Sequence, residues 1–304
     1  MNALKTTLLL CLVYTFSFGS ISEAEKTALT ALYHFTDGDK WFRPWDLNAD
    51  ISTWQGVTIE DGKVVEINLP YNNLSGNIPK EIGSLKNLRV INLFRNKLSG
   101  EIPSSIGKLS SLQELNLSFN MLEGNIPAEI GDMKSLVVLQ LFMNRLDGEI
   151  PSSIGKLSNL ETLELYNNNL QGEIPKSVAN LSSLKQLLVS SNNIRGKIFP
   201  EISNLKNLEV LSVFDNKMVG LVPPAIGELS NLEELVLSNN AFYGNLPQQL
   251  VQLKKLKVLQ IGNNSFEGNI SQLAANLPSL KDFDMNNTNV EGVIVTLDEV
   301  DDEN

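Results

Sequence analysis

The sequence predicts an α/β solenoid of ten 24-residue coils, with a concave parallel β-sheet, an irregular or 3-10 convex side and an N-terminal helical cap. Three observations predict it. An apolar residue recurs at Val64, Leu88, Leu112, Leu136, Leu160, Leu184, Leu208, Leu232, Leu256 and Leu280, with no insertion or deletion between copies. Within each copy two apolar residues stand two apart, as Ile91 and Leu93 do, so both face one side of a strand. Fixed punctuation follows, as in Asn96, Gly100, Ile102-Pro103 and Gly107. A coil this short buries its apolar face only against its neighbours, so the chain reads as one continuous core presenting a curved surface.

The first segment, residues 1–19, is expected to be an export signal. Lys5 supplies its positive start, Thr6 to Phe18 is mostly apolar, and small Ser17 and Gly19 precede a cut after Gly19. The run is shorter than the roughly 20 apolar residues of a spanning helix. Cys11, the single cysteine, lies inside it, so disulfides and thiolate chemistry are not expected of the processed chain. Losing Lys5 moves the formal charge from −11 to −12. An acidic, exported chain repels nucleic acid and anionic membranes, so neither is expected as a partner.

Residues 20–63 are expected to form the cap. Ser22 and Glu25 make a capping-box pattern, Ala28, Leu29, Leu32 and Phe35 recur at helical spacing, and Gly38 is expected to stop the helix. Trp41, Trp45 and Trp54 follow, placed to plug the open end of the core.

Residues 64–295 carry the coils. The ninth-position Asn, from Asn72 to Asn264, has a donor and an acceptor for backbone groups within and between coils; coil ten has Thr288 there. Four residues later comes Gly, from Gly76 to Gly292, for a tight turn of positive φ. Two irregularities, Phe199 before Pro200 in coil six and Ser271 with Ala274 in coil nine, are expected to kink or loosen the return. The acidic residues 296–304 read as a solvated tail.

Outward side chains on the strands form columns. The seventh position carries Phe94, Phe142, Tyr166 and Phe214; the eighth carries Tyr71, Arg95, Phe119 and Met143. Aromatics crowd coils one to five, and Phe94 to Tyr166 spans about 15 Å at the usual strand separation. These eight residues are the candidate ligand-binding set, and the double change Phe94→Ala with Phe142→Ala is expected to abolish binding with folding intact. The alternative is that the rings pack across strands to stiffen the sheet. A second-position series, Glu161, Lys185, Glu209, Glu233, Lys257 and Lys281, reads as cross-strand ion pairing.

Catalytic parts are missing from the composition. His34 is the single histidine, which leaves Ser-His-Asp and zinc sites incomplete, and Asp37-Gly38-Asp39 lacks the further ligands of a calcium loop. Glu161 and Glu164 could pair as in glycosidases, but no pocket is indicated. No enzyme activity, cofactor or metal is expected. Asn-x-Ser/Thr sites stand at Asn73, Asn116, Asn180, Asn263, Asn269 and Asn286.

The pattern LxxLxLxxNxLSGxIPxxIGxL, nearly complete in Leu112 to Met133 and Leu136 to Leu157, resembles the plant-type leucine-rich repeat family over about three-quarters of the chain. That resemblance implies a right-handed arc and binding of protein, peptide or glycan on the concave face. The alternative is a structural or adhesion role at a surface or in a matrix, with ice contact disfavoured by the lack of a regular Thr array. Trp54-Gln55-Gly56-Val57 is similar to the family's cap segment, but Ser52 and Ile59 stand where plant receptors carry cysteines. With Thr36 to Trp41 this is closer to secreted bacterial or algal members than to a complete receptor kinase. The expectation is a secreted or cell-surface monomer without membrane insertion, binding a protein or peptide, or a glycan.

Overall fold

A computed structural model describes residues 21–286. The expected export signal, Thr288, Gly292 and the acidic tail lie outside the described residues.

Helix α1, Glu23–Phe35, starts at Ser22, whose Oγ accepts from Glu25 N at 3.3 Å while the Glu25 carboxylate accepts from Ser22 N at 3.2 Å. Its buried face is Ala28, Leu29, Leu32 and Tyr33. Phe35, expected on that face, is 57% exposed; Tyr33, one helical turn after Leu29, takes the inner place. The helix stops at Thr36 and not at Gly38, because Thr36 Oγ1 and N both donate to Leu32 O. Gly38 has a different duty. A Cβ there would lie 2.3 Å from the Tyr33 ring, so the chain crosses that ring only as glycine.

Trp41, Trp45 and Trp54 are buried beside α1, with Trp45 and Trp54 stacked at 4.7 Å. Each indole N–H donates to a backbone carbonyl, of Thr36, Gln55 and Asp46 respectively, so the rings enter the core with their polar atoms satisfied. Strand β1, Val57–Glu60, runs antiparallel to β2, Lys63–Asn68, which begins the coils.

From β2 onward the concave sheet is parallel, one short strand per coil, ending at Asp282–Asp284; with β1 it counts 11 strands. The register keeps each coil opposite the next, so Ile67 faces Ile91 and Leu139 faces Leu163. The first-position residues from Val64 to Leu256 are fully buried, as are the strand leucines between them. Lateral strands form two shorter sheets, over coils one to four and six to nine, linked across coil five only by single bridges at Gln171 and Glu173.

The convex returns are five-residue 3-10 turns, each starting after an extended residue, as Ser104–Lys108 does after Pro103. Phe199 in coil six adopts the same extended backbone (φ −86°, ψ 147°) and is buried, so the following turn, Pro200–Asn204, is unchanged and no kink appears. In coil nine the turn becomes a short helix, α2, Ile270–Ala274, capped by Asn269. Ile270, Leu273 and Ala274 stay buried, so this return is rewound rather than loosened.

The asparagine ladder joins these layers. Asn120 Nδ2 donates to Leu93 O of the preceding coil and Leu117 O of its own, while its Oδ1 accepts from Leu98 N. The same three-way pattern recurs through Asn264. Glycines from Gly76 to Gly268 then turn with positive φ.

Candidate ligand-binding surface

The eighth-position side chains sit on an unusual backbone. Tyr71, Arg95, Phe119, Met143, Asn167, Ser191, Asp215, Asn239 and Asn263 all have φ between 50° and 57°. The left-handed region suits Asn and Asp but costs a bulky side chain about 1–2 kcal/mol. Neighbouring coils hold this geometry in place. Tyr71 N donates to Phe94 O, Arg95 N to Ser118 O, Phe119 N to Phe142 O and Met143 N to Tyr166 O, all between 2.9 and 3.0 Å. Coils one to four therefore display Tyr, Arg, Phe and Met at a position where later coils place mostly Asn or Asp.

Those side chains meet the seventh-position rings. Tyr71 lies edge-on to Phe94 at 5.3 Å, Phe94 to Phe119 at 5.2 Å and Phe119 to Phe142 at 5.5 Å. Phe142 and Tyr166 stack at 4.4 Å. Arg95 Cζ lies 5.3 Å from the Tyr71 ring centre and 5.8 Å from that of Phe119. A continuous aromatic stripe thus runs across the concave wall from coil one to coil five.

The stripe is not uniformly open. Phe142 is only 8% exposed, which corrects its placement among freely accessible residues. Coil three carries Ser118 between the phenylalanines, and this small residue lets Phe94 and Phe142 approach to 6.4 Å and cover it. The buried Ser118 hydroxyl has no partner, a cost of about 1–3 kcal/mol. Phe94, Phe119 and Tyr166 are half-buried, while Tyr71 and Met143 are exposed at 54% and 39%. Phe214 shares the column but stands two coils beyond Tyr166, past Ser190, and makes no ring pair with the stripe.

Polar chains flank the rings. Asn116 Nδ2 donates to Gln140 Oε1 at 2.9 Å, and Gln140 Nε2 to Glu164 Oε2 at 3.1 Å. Burial pushes the Glu164 carboxyl above its ordinary value despite the Gln140 hydrogen bond, and burial followed by the Glu164 charge raises the Tyr166 phenol. Glu161 is engaged by Lys185 at 2.7 Å and Glu233 by Lys257 at 2.5 Å, two rungs of the second-position ion-pair series.

One contributor comes from outside the repeats. Phe42, in the cap loop, is 73% exposed beside Tyr71 and Pro70. The sequence reading passes over it because the repeat columns start only at coil one. Among the described residues no cluster of side chains could hold a metal ion, and no helix is long and apolar enough to cross a membrane.

The Leucine Rich Repeat profile matches residues 63–85, 87–109, 111–133, 135–157, 159–181, 183–205 and 231–253. A leucine-rich repeat receptor protein kinase, EMS1, of Arabidopsis thaliana is 37% identical over 91 residues, covering 29% of this chain and 8% of the kinase. Among solved structures, the ectodomain of the Arabidopsis thaliana receptor kinase GASSHO1/SCHENGEN3 in complex with CASPARIAN STRIP INTEGRITY FACTOR 2 superposes with a TM-score of 0.84 at 32% identity. That match covers 88% of this chain and 33% of the ectodomain. A plant ice-binding protein matches with a TM-score of 0.77 at 26% identity, covering 91% of this chain and 90% of its own. The chain thus spans a small part of the curated kinase and about a third of the receptor ectodomain. With the profile matching coils one to six and coil eight, and the coils stacked as such repeats stack, this chain belongs to the leucine-rich repeat family.

Proposed function

We propose that this chain is an exported, non-enzymatic binding protein whose concave wall takes an extended peptide along the stripe from Tyr71 to Tyr166. On this reading residues 1–19 are the export signal, residues 20–63 the cap and residues 64–295 the ligand-bearing array, acting as a monomer. The observation that carries it is the eighth-position column. Tyr71, Arg95, Phe119 and Met143 occupy a left-handed backbone that Asn would fill with less strain, and their rings and guanidinium join one continuous surface. Grouped aromatics around an Arg are typical centres of binding energy. The Arabidopsis receptor kinase HAESA, solved in complex with the peptide hormone IDA and similar to this chain at 29% identity with a TM-score of 0.79, supports a protein or peptide over a glycan as occupant.

Selection of a displayed random-sequence peptide library on the chain tests this. Enriched peptides should lose at least tenfold in affinity for the Phe119→Ala variant. Peptides that bind both forms equally overturn the site.

A second reading, contact with ice, is favoured by the ice-binding neighbour's nearly equal length. The regular Thr array that such contact favours is missing from the sequence, and a thermal-hysteresis measurement should find none.

A further inference from the structure

The cap loop and the first coil enclose a notch of about 370 Å³ at the N-terminal end of the aromatic stripe. Phe42, Arg43, Gln55, Asn68, Pro70 and Tyr71 line it. Two walls are apolar and exposed, Phe42 on the cap side and Tyr71 on the coil side. Arg43 also lines the notch, and its guanidinium makes no ion pair among the described residues. Arg95 approaches the other face of the same region, over the Tyr71 ring, and is likewise without a carboxylate partner among the described residues. Two unneutralised guanidiniums beside one tyrosine are notable in a chain of 35 acidic and 24 basic residues. Arg89, by contrast, is paired with Glu60.

The notch is held in shape from below. Phe42 N donates to Asn72 O at 3.1 Å, and Arg43 N to Asn72 Oδ1 at 2.9 Å. Asn72 is the first member of the asparagine ladder, and with no coil before it its buried Nδ2 has no acceptor. An unpaired buried donor costs about 1–3 kcal/mol. That cost accompanies a fixed rim: Phe42 and Arg43 are set at defined places before any ligand arrives, which lowers the entropy lost on binding.

We propose that this notch is the anchoring subsite of the concave groove and takes a carboxylate flanked by an apolar or aromatic group, the carboxylate against Arg43 and the apolar part between Phe42 and Tyr71. The Arg43 guanidinium is a donor only, so it selects an anionic acceptor, and a planar carboxylate matches its fork. The inference rests on the peptide reading of the stripe and fixes one end of that peptide's path. From Tyr71 in coil one to Tyr166 in coil five is four strand steps, about 19 Å, the reach of about six extended residues. The carboxylate belongs either to the peptide's own C-terminus or to an Asp or Glu side chain.

The test uses two displayed random-peptide libraries, one ending in a free carboxylate and one with that end blocked. Enriched peptides are resynthesised with the carboxylate neutralised, by terminal amidation or by Asp→Asn and Glu→Gln exchange, and measured on the full chain and on Arg43→Ala and Arg43→Lys variants. Arg43 contributes only its backbone N–H to the fold, so Arg43→Ala should keep the wild-type melting temperature. Neutralising the carboxylate should weaken binding at least tenfold on the unaltered chain and less than twofold on Arg43→Ala, with Arg43→Lys between them. Enrichment from the free-end library alone assigns the carboxylate to the peptide terminus; enrichment from both assigns it to a side chain. Peptides that depend on Phe119 yet bind equally with and without Arg43 or their carboxylate overturn the notch and leave the stripe standing. If neither library yields a peptide dependent on Phe119, the stripe and the notch fall together.

Discussion

Glu25 Oε1 accepts a hydrogen bond from the backbone N–H of Val64 at 3.1 Å, while its other oxygen closes the capping box on Ser22. One buried carboxylate therefore joins the start of α1 to the start of the first coil across 39 residues. Glu25→Ala removes the box and leaves Val64 N–H buried without a partner, together about 3 kcal/mol. Because long repeat arrays unfold in parts, the local readout is preferable. Hydrogen exchange of the Val64 amide should accelerate about 100-fold. Exchange at the wild-type rate would show that the carboxylate does not bind cap to coil.

Met143 tests the strain in the eighth column. It is 39% exposed, so Met143→Asn removes little packing and relieves a left-handed backbone. The variant should be more stable by about 1 kcal/mol, a rise in Tm of about 2 °C. A lower Tm would mean that the methionine contributes more by packing than its backbone costs.

Phe142 and Phe119 should separate folding from binding. Phe142→Ala empties a buried site and should cost about 3–5 kcal/mol, so the double change with Phe94 confounds binding with stability. Phe119→Ala loses two edge contacts at 5.2 and 5.5 Å and should cost about 1–3 kcal/mol. Thermal melts of the two single variants check the order, and equal losses contradict it.

Glu164 gives the stripe a pH dependence. Its carboxyl is raised in the folded chain by burial, so protonation favours the folded state. That contribution is complete below the ordinary value of 4.5 and lost as pH rises through the raised folded value. Glu164→Gln should therefore melt above the wild type at pH 7, and the gap should close as the pH is lowered below 4.5. A gap independent of pH would assign the effect to something other than the carboxyl charge.

The coil was legible because its requirements are local and repeated. Leu88, Ile91, Leu93 and Asn96 state the buried face and the turn in a single copy, and eight more copies restate them before coil ten departs at Thr288. The capping box of Ser22 and Glu25 was readable for the same reason. What escaped depends on residues a full coil away. Phe142 is covered because Ser118, 24 positions earlier, is small. Tyr33 displaces Phe35 because a glycine at position 38 lets the chain lie on its ring. The left-handed eighth column was written in Asn167, Asn239 and Asn263, but Tyr71, Arg95, Phe119 and Met143 obscured the signal in the coils where it matters.

The same column separates display from support. Each left-handed residue is tethered by its own main-chain amide to a carbonyl of the next coil, whichever side chain it bears. The array behaves as a row of interchangeable sockets, in which an aromatic, a cation or an amide can be fitted while the leucine layers beneath go unedited. A new recognition pattern can therefore be composed on an unchanged backbone, each exchange altering its own fit and the rings it meets in the adjoining coils.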